Sequence, residues 1–89
     1  MSNFTGMDIP AVRQLAAQMN QKADEIDNLR TQLTNQLNNT QWVGNDRNMF
    51  SNDWNGQYCS SLNQVAQGLR DAAQRATNNA NEQEATSNA

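Results

Sequence analysis

The 89-residue chain contains no histidine and a single cysteine, Cys59. Without histidine it lacks a common metal ligand and the usual general base at neutral pH. A single cysteine excludes an intrachain disulfide, and a catalytic thiol would have no histidine to activate it. The sequence also has no glycine-rich phosphate loop and no cluster of metal ligands. We therefore expect neither an enzyme nor a bound cofactor or metal.

Basic residues are few, and no long apolar run is present. Six basic and nine acidic residues give a net charge of -3, and Lys22 is the only lysine, which argues against nucleic-acid binding. No apolar run approaches the roughly 20 residues of a transmembrane helix. Residues 1–5 lack the basic and apolar regions of a cleavable signal peptide. The default expectation is a cytoplasmic protein, and export without such a peptide stays open.

The first half of the chain carries the apolar spacing of one long helix. Asp8 is a suitable N-cap, and Pro10 falls in the first turn, where its missing N–H costs nothing. Steps of three, four or seven residues predict a helix from Ile9 to Asn39 with one buried side. Its apolar positions are Val12, Leu15, Met19, Ile26, Leu29, Leu33 and Leu37.

A second helix is predicted after a bend at about residues 40–45, where Gly44 suits a positive φ and Asn45 or Asp46 suits an N-cap. The apolar spacing ends near Asn78, which predicts a hairpin domain over 8–77, a disordered tail over 78–89 and a flexible N-terminus over 1–7. The large apolar positions of the second helix are Phe50, Trp54, Tyr58, Leu62, Val65 and Leu69.

These two halves predict an all-α fold. Two long helices with a short connection lie antiparallel, as a helical hairpin. Their apolar positions are too many for two helices to bury, so we expect a second hairpin to complete a four-helix bundle. The second hairpin is either a copy of this chain or a different protein. We expect the apolar positions to form the core of the hairpin or the dimer interface.

The residues Trp42-Val43-Gly44 lie at the predicted bend. A second W-x-G match, Trp54-Asn55-Gly56, falls inside the second apolar series, so we assign the bend to the first match. Trp42 is expected to pack across the end of the hairpin, a role that is compatible with recognition by another protein. Cys59 is expected to fill space in or near the core, and an interchain disulfide is the alternative if the protein leaves the cell.

The sequence resembles the WXG-100 (Esx-type) family of type VII secretion proteins. The resemblance covers about residues 4–80 and rests on chain length, the central Trp42 and Gly44, the flanking helices, and Phe50 followed by Trp54. The opening Gly6-Met7-Asp8 and the following Val12-Arg13-x-Leu15-Ala16 are similar to actinobacterial members.

The resemblance implies a hairpin that dimerises and is exported folded, without a signal peptide, after residing in the cytoplasm. It implies two partners: itself or a second WXG-type hairpin, and the type VII secretion ATPase. Trp42 and Gly44 would form half of a composite export signal. The other half in the family is Tyr-x-x-x-Asp/Glu after the second helix, but no tyrosine follows Tyr58 in this chain.

Three explanations of this departure stay open: the partner supplies the element, another signal replaces it, or the protein is not itself a substrate. The first hypothesis for function is thus a secreted or co-secreted binding protein. The second is a cytoplasmic adaptor or chaperone that pairs with the helical N-terminal domain of a larger secreted toxin. The third is a dimeric helical bundle with no role in export.

Overall fold

The computed structural model of the protein describes residues 6–88 as an antiparallel helical hairpin, which confirms the predicted all-α fold. Helix α1 spans Ile9–Asn39, and α2 spans Asn45–Asp53. The second long helix continues through a π-helical turn, Trp54–Tyr58, into α3, Cys59–Asn88. The described residues contain no strand. The first five residues of the predicted flexible N-terminus lie outside the described residues.

Helix α1 begins and ends where the sequence predicts. The Asp8 carboxylate accepts a hydrogen bond from the Ala11 N–H at 3.1 Å, and Pro10 lies in the first turn. This cap satisfies one of the free N–H groups at the start of the helix. At the other end, the Thr40 N–H donates to the Leu37 carbonyl at 3.4 Å. Its 31 residues make α1 roughly 46 Å long.

The bend connects α1 to α2 through residues 40–44. Gly44 has φ 132° and ψ -178°, a backbone conformation that is open almost exclusively to glycine. Gly44 itself is the N-cap of α2, in place of the Asn45 or Asp46 expected from the sequence, and no side chain caps this helix. Asp46 lies in the first turn, where its negative charge suits the helix dipole.

The π-helical turn, named here the π-turn, was not predicted. A π-turn accommodates one more residue than an α-helical turn, so it shifts the side of the helix on which later residues lie. Trp54 is buried at its start, and the Trp54 indole N–H donates to the Thr34 hydroxyl at 2.9 Å. Tyr58, four residues later, is exposed, so the unbroken apolar series expected through Trp54 and Tyr58 is interrupted here.

The core between α1 and α3 is built mainly of alanine. The buried alanines recur every seven residues on each helix, with the half-buried Cys59 continuing the α3 series. Because alanine has a small side chain, the two helices can approach closely along this line. The buried residues are Ala16, Ala23 and Leu37 of α1, Trp54 of the π-turn, and Ala66, Ala73 and Ala80 of α3.

The helix α3 continues to Asn88, whereas the sequence predicts a disordered tail from Asn78. Two features account for the difference. Ala80 is fully buried and extends the seven-residue series one step beyond Ala73. Arg13 of α1 donates hydrogen bonds to Asn81 and to Glu84, both at 2.9 Å. The tail therefore packs against the start of α1 through small and polar residues, which a search for large apolar side chains overlooks.

Candidate interaction surface

The two sides of the hairpin differ in chemistry because of where residues fall relative to the core alanines. Around a core alanine, the residues four positions before it and three positions after it lie on one side of the helix; they are the first set. The residues three positions before it and four positions after it lie on the other side. On α1 the first set consists of large apolar residues, such as Met19 and Ile26 around Ala23. On α3 it includes Leu62 and Leu69 around Ala66.

We call the surface formed by these residues and their neighbours the apolar face. Several of its large side chains are half exposed, including Leu15 and Val65 at 52 % each. The α1 residues of the apolar face are Val12, Leu15, Met19, Ile26, Leu29 and Leu33. Those contributed by the second long helix are Tyr58, Leu62, Val65 and Leu69.

The opposite surface, named here the polar face, holds a network of charges that joins the two helices. The Arg70 guanidinium donates to the carboxylates of Asp24 at 2.8 Å and Asp27 at 2.7 Å. Arg30 binds Asp27 at 3.2 Å and also donates to Asn63. Together with the bonds from Arg13 to the tail, these contacts fix which residues of α3 lie opposite α1.

The charges of the polar face affect the pKa values of two of its members. The hydrogen bond from Arg70 lowers the pKa of Asp27 below its usual value of 3.8, an effect opposed by desolvation and reinforced by the nearby charges of Arg70 and Arg30. The hydrogen bonds to Asp24 and Asp27 raise the pKa of Arg70 above its usual value. Both shifts favour the charged pair, so this side of the hairpin is ionised and hydrated at neutral pH.

At the bend, three aromatic rings follow one another along the start of the second helix. The rings of Trp42 and Phe50 lie 6.3 Å apart and are tilted by 33°. The rings of Phe50 and Trp54 are stacked at 6.1 Å. Trp54 is buried, whereas Trp42 and Phe50 are 42 % and 41 % exposed. The row therefore leads from the core of the hairpin to its surface.

An open apolar cleft lies beside these rings, which we call the bend cleft. Its volume is about 210 Å³, and most of its wall is apolar. It joins the apolar face, because Leu33 belongs to both. The residues that line the cleft are Leu33, Gln36, Leu37, Thr40, Trp42 and Phe50. Val43, next to Trp42, is 91 % exposed, so the tip of the hairpin also presents an uncovered aliphatic side chain.

The structure separates the residues that the sequence assigned to one core or interface. Only Leu37 and Trp54 are buried in the hairpin. The others are half-buried or exposed, and they lie on the apolar face or at the bend. Trp42 and Gly44 both occupy the bend, where Gly44 adopts the predicted positive φ. Whether the apolar positions form a dimer interface stays a prediction.

Sequence reasoning missed three features near this surface. Ala66 and Ala80 were not recognised as core residues, although their spacing of seven from Ala73 was the available signal. The role of Thr34 as the partner of the Trp54 indole had no sequence signal, because it depends on how the two helices are paired. Cys59 is half-buried in the alanine series, in agreement with its expected role as a small filling residue.

Among the described residues, no helix is long and apolar enough to cross a membrane. Comparison with protein-family models, curated proteins and solved structures yields no match to this chain.

Proposed function

We propose that this protein is a small helical-hairpin binding protein of the type VII secretion (Esx) pathway, a substrate or co-secreted partner. The observation that carries the proposal is the apolar face beside a core of alanine. The hairpin holds itself together with small side chains and leaves Leu15, Leu29 and Val65 near half exposed. Large apolar surfaces of this kind mark sites of association.

The occupant we propose for the apolar face is a second hairpin of the same class. Two long, roughly straight helices present an elongated apolar surface, and a second pair of helices matches that shape in a four-helix bundle. The polar face then stays in water, where its arginine and aspartate charges are solvated.

The bend supports a role for Trp42 in recognition by the export machinery. Trp42 packs on Phe50 with part of its ring, and 42 % of the residue stays exposed. In this proposal Trp42 and the Gly44 turn act as one half of the export signal. Glu84 in the tail is paired with Arg13, and no tyrosine precedes it in the tail. In this proposal the other half of the export signal comes from a different hairpin or from another signal, because a second copy of this chain also lacks the tyrosine element.

The test is secretion of tagged protein into culture medium, in the natural host with and without its type VII ATPase. The proposal predicts protein in the medium only when the ATPase is present, with a cytoplasmic marker retained in the cells. Retention in both strains contradicts export and favours the cytoplasmic adaptor that pairs with a larger toxin.

A Trp42→Ala variant tests the bend in the same assay, with Val43→Ala as its matched control. We expect Trp42→Ala to reduce secretion strongly and to keep its helical circular dichroism, because Trp42 lies outside the buried core. Val43→Ala should be secreted normally. Normal secretion of a folded Trp42→Ala variant would remove the tryptophan from the export signal.

A further inference from the structure

The short helix α2 is weakly attached to the core of the hairpin. None of its nine residues is buried, whereas α1 and α3 hold the buried alanines. No side chain caps its first turn. Segments with few buried apolar contacts open at a lower free energy than the core of a protein. Helix α2 can therefore move while α1 and α3 stay packed against each other.

A glycine lies beside each end of α2. Gly44 precedes the helix, and Gly56 lies in the π-turn that follows it. Nothing lies within 4 Å of the position that a Cβ would take at either glycine. The backbone freedom of glycine and these open surroundings allow the chain to change its torsion angles at both ends of α2, as hinge residues do.

Trp54 connects α2 to the rest of the hairpin. Its indole N–H donates to the Thr34 hydroxyl at 2.9 Å, and its ring is stacked on Phe50 of α2. Trp54 lies five residues before Cys59, which continues the alanine series of α3. In an unbroken α-helix, five residues would turn Trp54 by about 140° away from Cys59. The π-turn is therefore what brings Trp54 to Thr34.

The same residues have a second regular arrangement, in which the π-turn becomes α-helical. Helix α2 then turns by about 100° relative to α3, and Asn55 takes the place of Trp54 beside α1. This arrangement gains regular α-helical hydrogen bonds, but it loses the buried indole and its bond to Thr34. Two discrete packings of one segment form a two-state element, and the structure shows the packing with Trp54 buried.

The position of α2 determines the shape of the bend cleft. Phe50 of α2 lines the cleft together with Leu33 and Leu37 of α1. Because Phe50 is stacked on Trp54, a turn that takes Trp54 away from Thr34 also moves Phe50. The cleft then changes its width and the exposure of its aromatic wall.

We propose that α2 is a hinged arm that opens and closes the bend cleft, with the π-turn as its hinge. In the closed state the Trp54 indole is bonded to Thr34, as in the structure. In the open state the π-turn is α-helical, Trp54 has left Thr34, and Phe50 has moved away from Leu33. The arm is a property of the hairpin itself and does not depend on export.

The distance between two spin labels tests the turn of α2. In the full chain with Cys59→Ala, Met49→Cys carries one label on α2 and Gln32→Cys carries the other on α1, both at exposed positions. Dilution with unlabelled chain restricts the measurement to distances within one chain. A turn of about 100° moves a side chain at the helix surface by about 8 Å. Labels at Gln32 and Gln64, on α1 and α3, form the control pair and should keep one distance throughout.

Thr34→Val should shift the arm towards the open state, because the buried indole N–H of Trp54 loses its acceptor. We expect the open-state distance to become about tenfold more populated or more. The matched Thr31→Val, at an exposed position of α1, should leave the populations unchanged. The same single distance between α1 and α2 in Thr34→Val and in the unaltered protein overturns the proposal.

A chain that lacks Gly56 tests the hinge. The deletion removes the extra residue of the π-turn, so that a regular α-helix now places Trp54 beside Thr34. We expect only the closed-state distance, even when the deletion is combined with Thr34→Val. An open-state distance in the combined variant overturns the role of the π-turn as the hinge. The comparison of Thr34→Val with Thr31→Val does not depend on the folding of this shortened chain.

Discussion

Gly44 shows how one backbone conformation makes the hairpin possible. With φ 132° and ψ -178°, it occupies a region where a side chain is strained, although no neighbouring atom lies within 4 Å of the position of an added Cβ. The requirement for glycine is therefore conformational and does not arise from crowding.

We predict that Gly44→Ala lowers the free energy of unfolding by about 1–3 kcal/mol. Gly68→Ala is the matched control, because Gly68 lies inside α3 with equally open surroundings. Alanine favours the helix, so this control should be stabilised by up to about 1 kcal/mol. Denaturant unfolding of both variants measures the difference. Equal effects of the two substitutions would contradict the role given to Gly44.

Asp27 links the stability of the hairpin to pH. Its pKa is lowered in the folded state by the Arg70 hydrogen bond and returns to about 3.8 on unfolding. The stabilising contribution of Asp27 is therefore present above pH 3.8 and is lost as the pH falls through the lowered folded-state value.

We predict that Asp27→Asn makes the loss of stability on acidification less steep below about pH 5. Asp53→Asn, which removes one exposed carboxylate from α2, is the control and should keep the steeper loss. Unfolding curves between neutral and acidic pH provide the measurement. An unchanged acid dependence in Asp27→Asn would show that the Arg70 pair does not govern it.

At the scale of the elements, the close packing of α1 and α3 depends on the alanine series. Ala23 and Ala80 are fully buried, and Ala66 and Ala73 are 1 % exposed. A larger side chain at these positions must either move the helices apart or leave its preferred rotamer, and both changes cost free energy.

Ala23→Leu is therefore predicted to lower the free energy of unfolding by about 1–3 kcal/mol, although leucine is more apolar and suits a helix. Ala17→Leu, at an exposed position of α1, should change it little. Thermal unfolding of the two variants tests this directly. A stabilised Ala23→Leu protein would mean that the helices are not held at close distance by alanine.

The sequence predicts the elements of this fold better than their packing. The Asp8 cap, Pro10 and the apolar spacing determine α1, because these signals are local to one helix. The glycine at position 44 marks the bend for the same reason. The choice of packing surface is not local: the apolar positions of each helix cover a wide arc, and only the paired helices show that Ala23 faces the core while Leu29 does not.

The π-turn and the helical tail were missed for related reasons. The π-turn allows Trp54 and the alanines of α3 to face α1 together. The need for this adjustment becomes apparent only when the two long helices are packed against each other. The tail contains no large apolar residue after Asn78, so its spacing appeared to end. Its helix is held by Ala80 and by the bonds from Arg13 to Asn81 and Glu84.

At the scale of the whole molecule, the hairpin has one ionised face and one apolar face. Arg70 and its aspartate partners hold the helices in register on the first, and Leu15, Leu29 and Val65 are near half exposed on the second. In the proposed pairing, two apolar faces bury those side chains against each other, and the charges stay hydrated. The bend cleft lies at one end of the apolar face and shares Leu33 with it.

The most direct test of this account is the mass of the purified chain in solution, compared with a Leu29→Glu and an Asn35→Glu variant. Both substitutions introduce one acid on α1, but Leu29 lies on the apolar face and Asn35 lies away from it. We predict twice the chain mass of 9.9 kDa for the unaltered protein and for Asn35→Glu, and the single mass for Leu29→Glu. The same mass for all three proteins would contradict self-association through the apolar face.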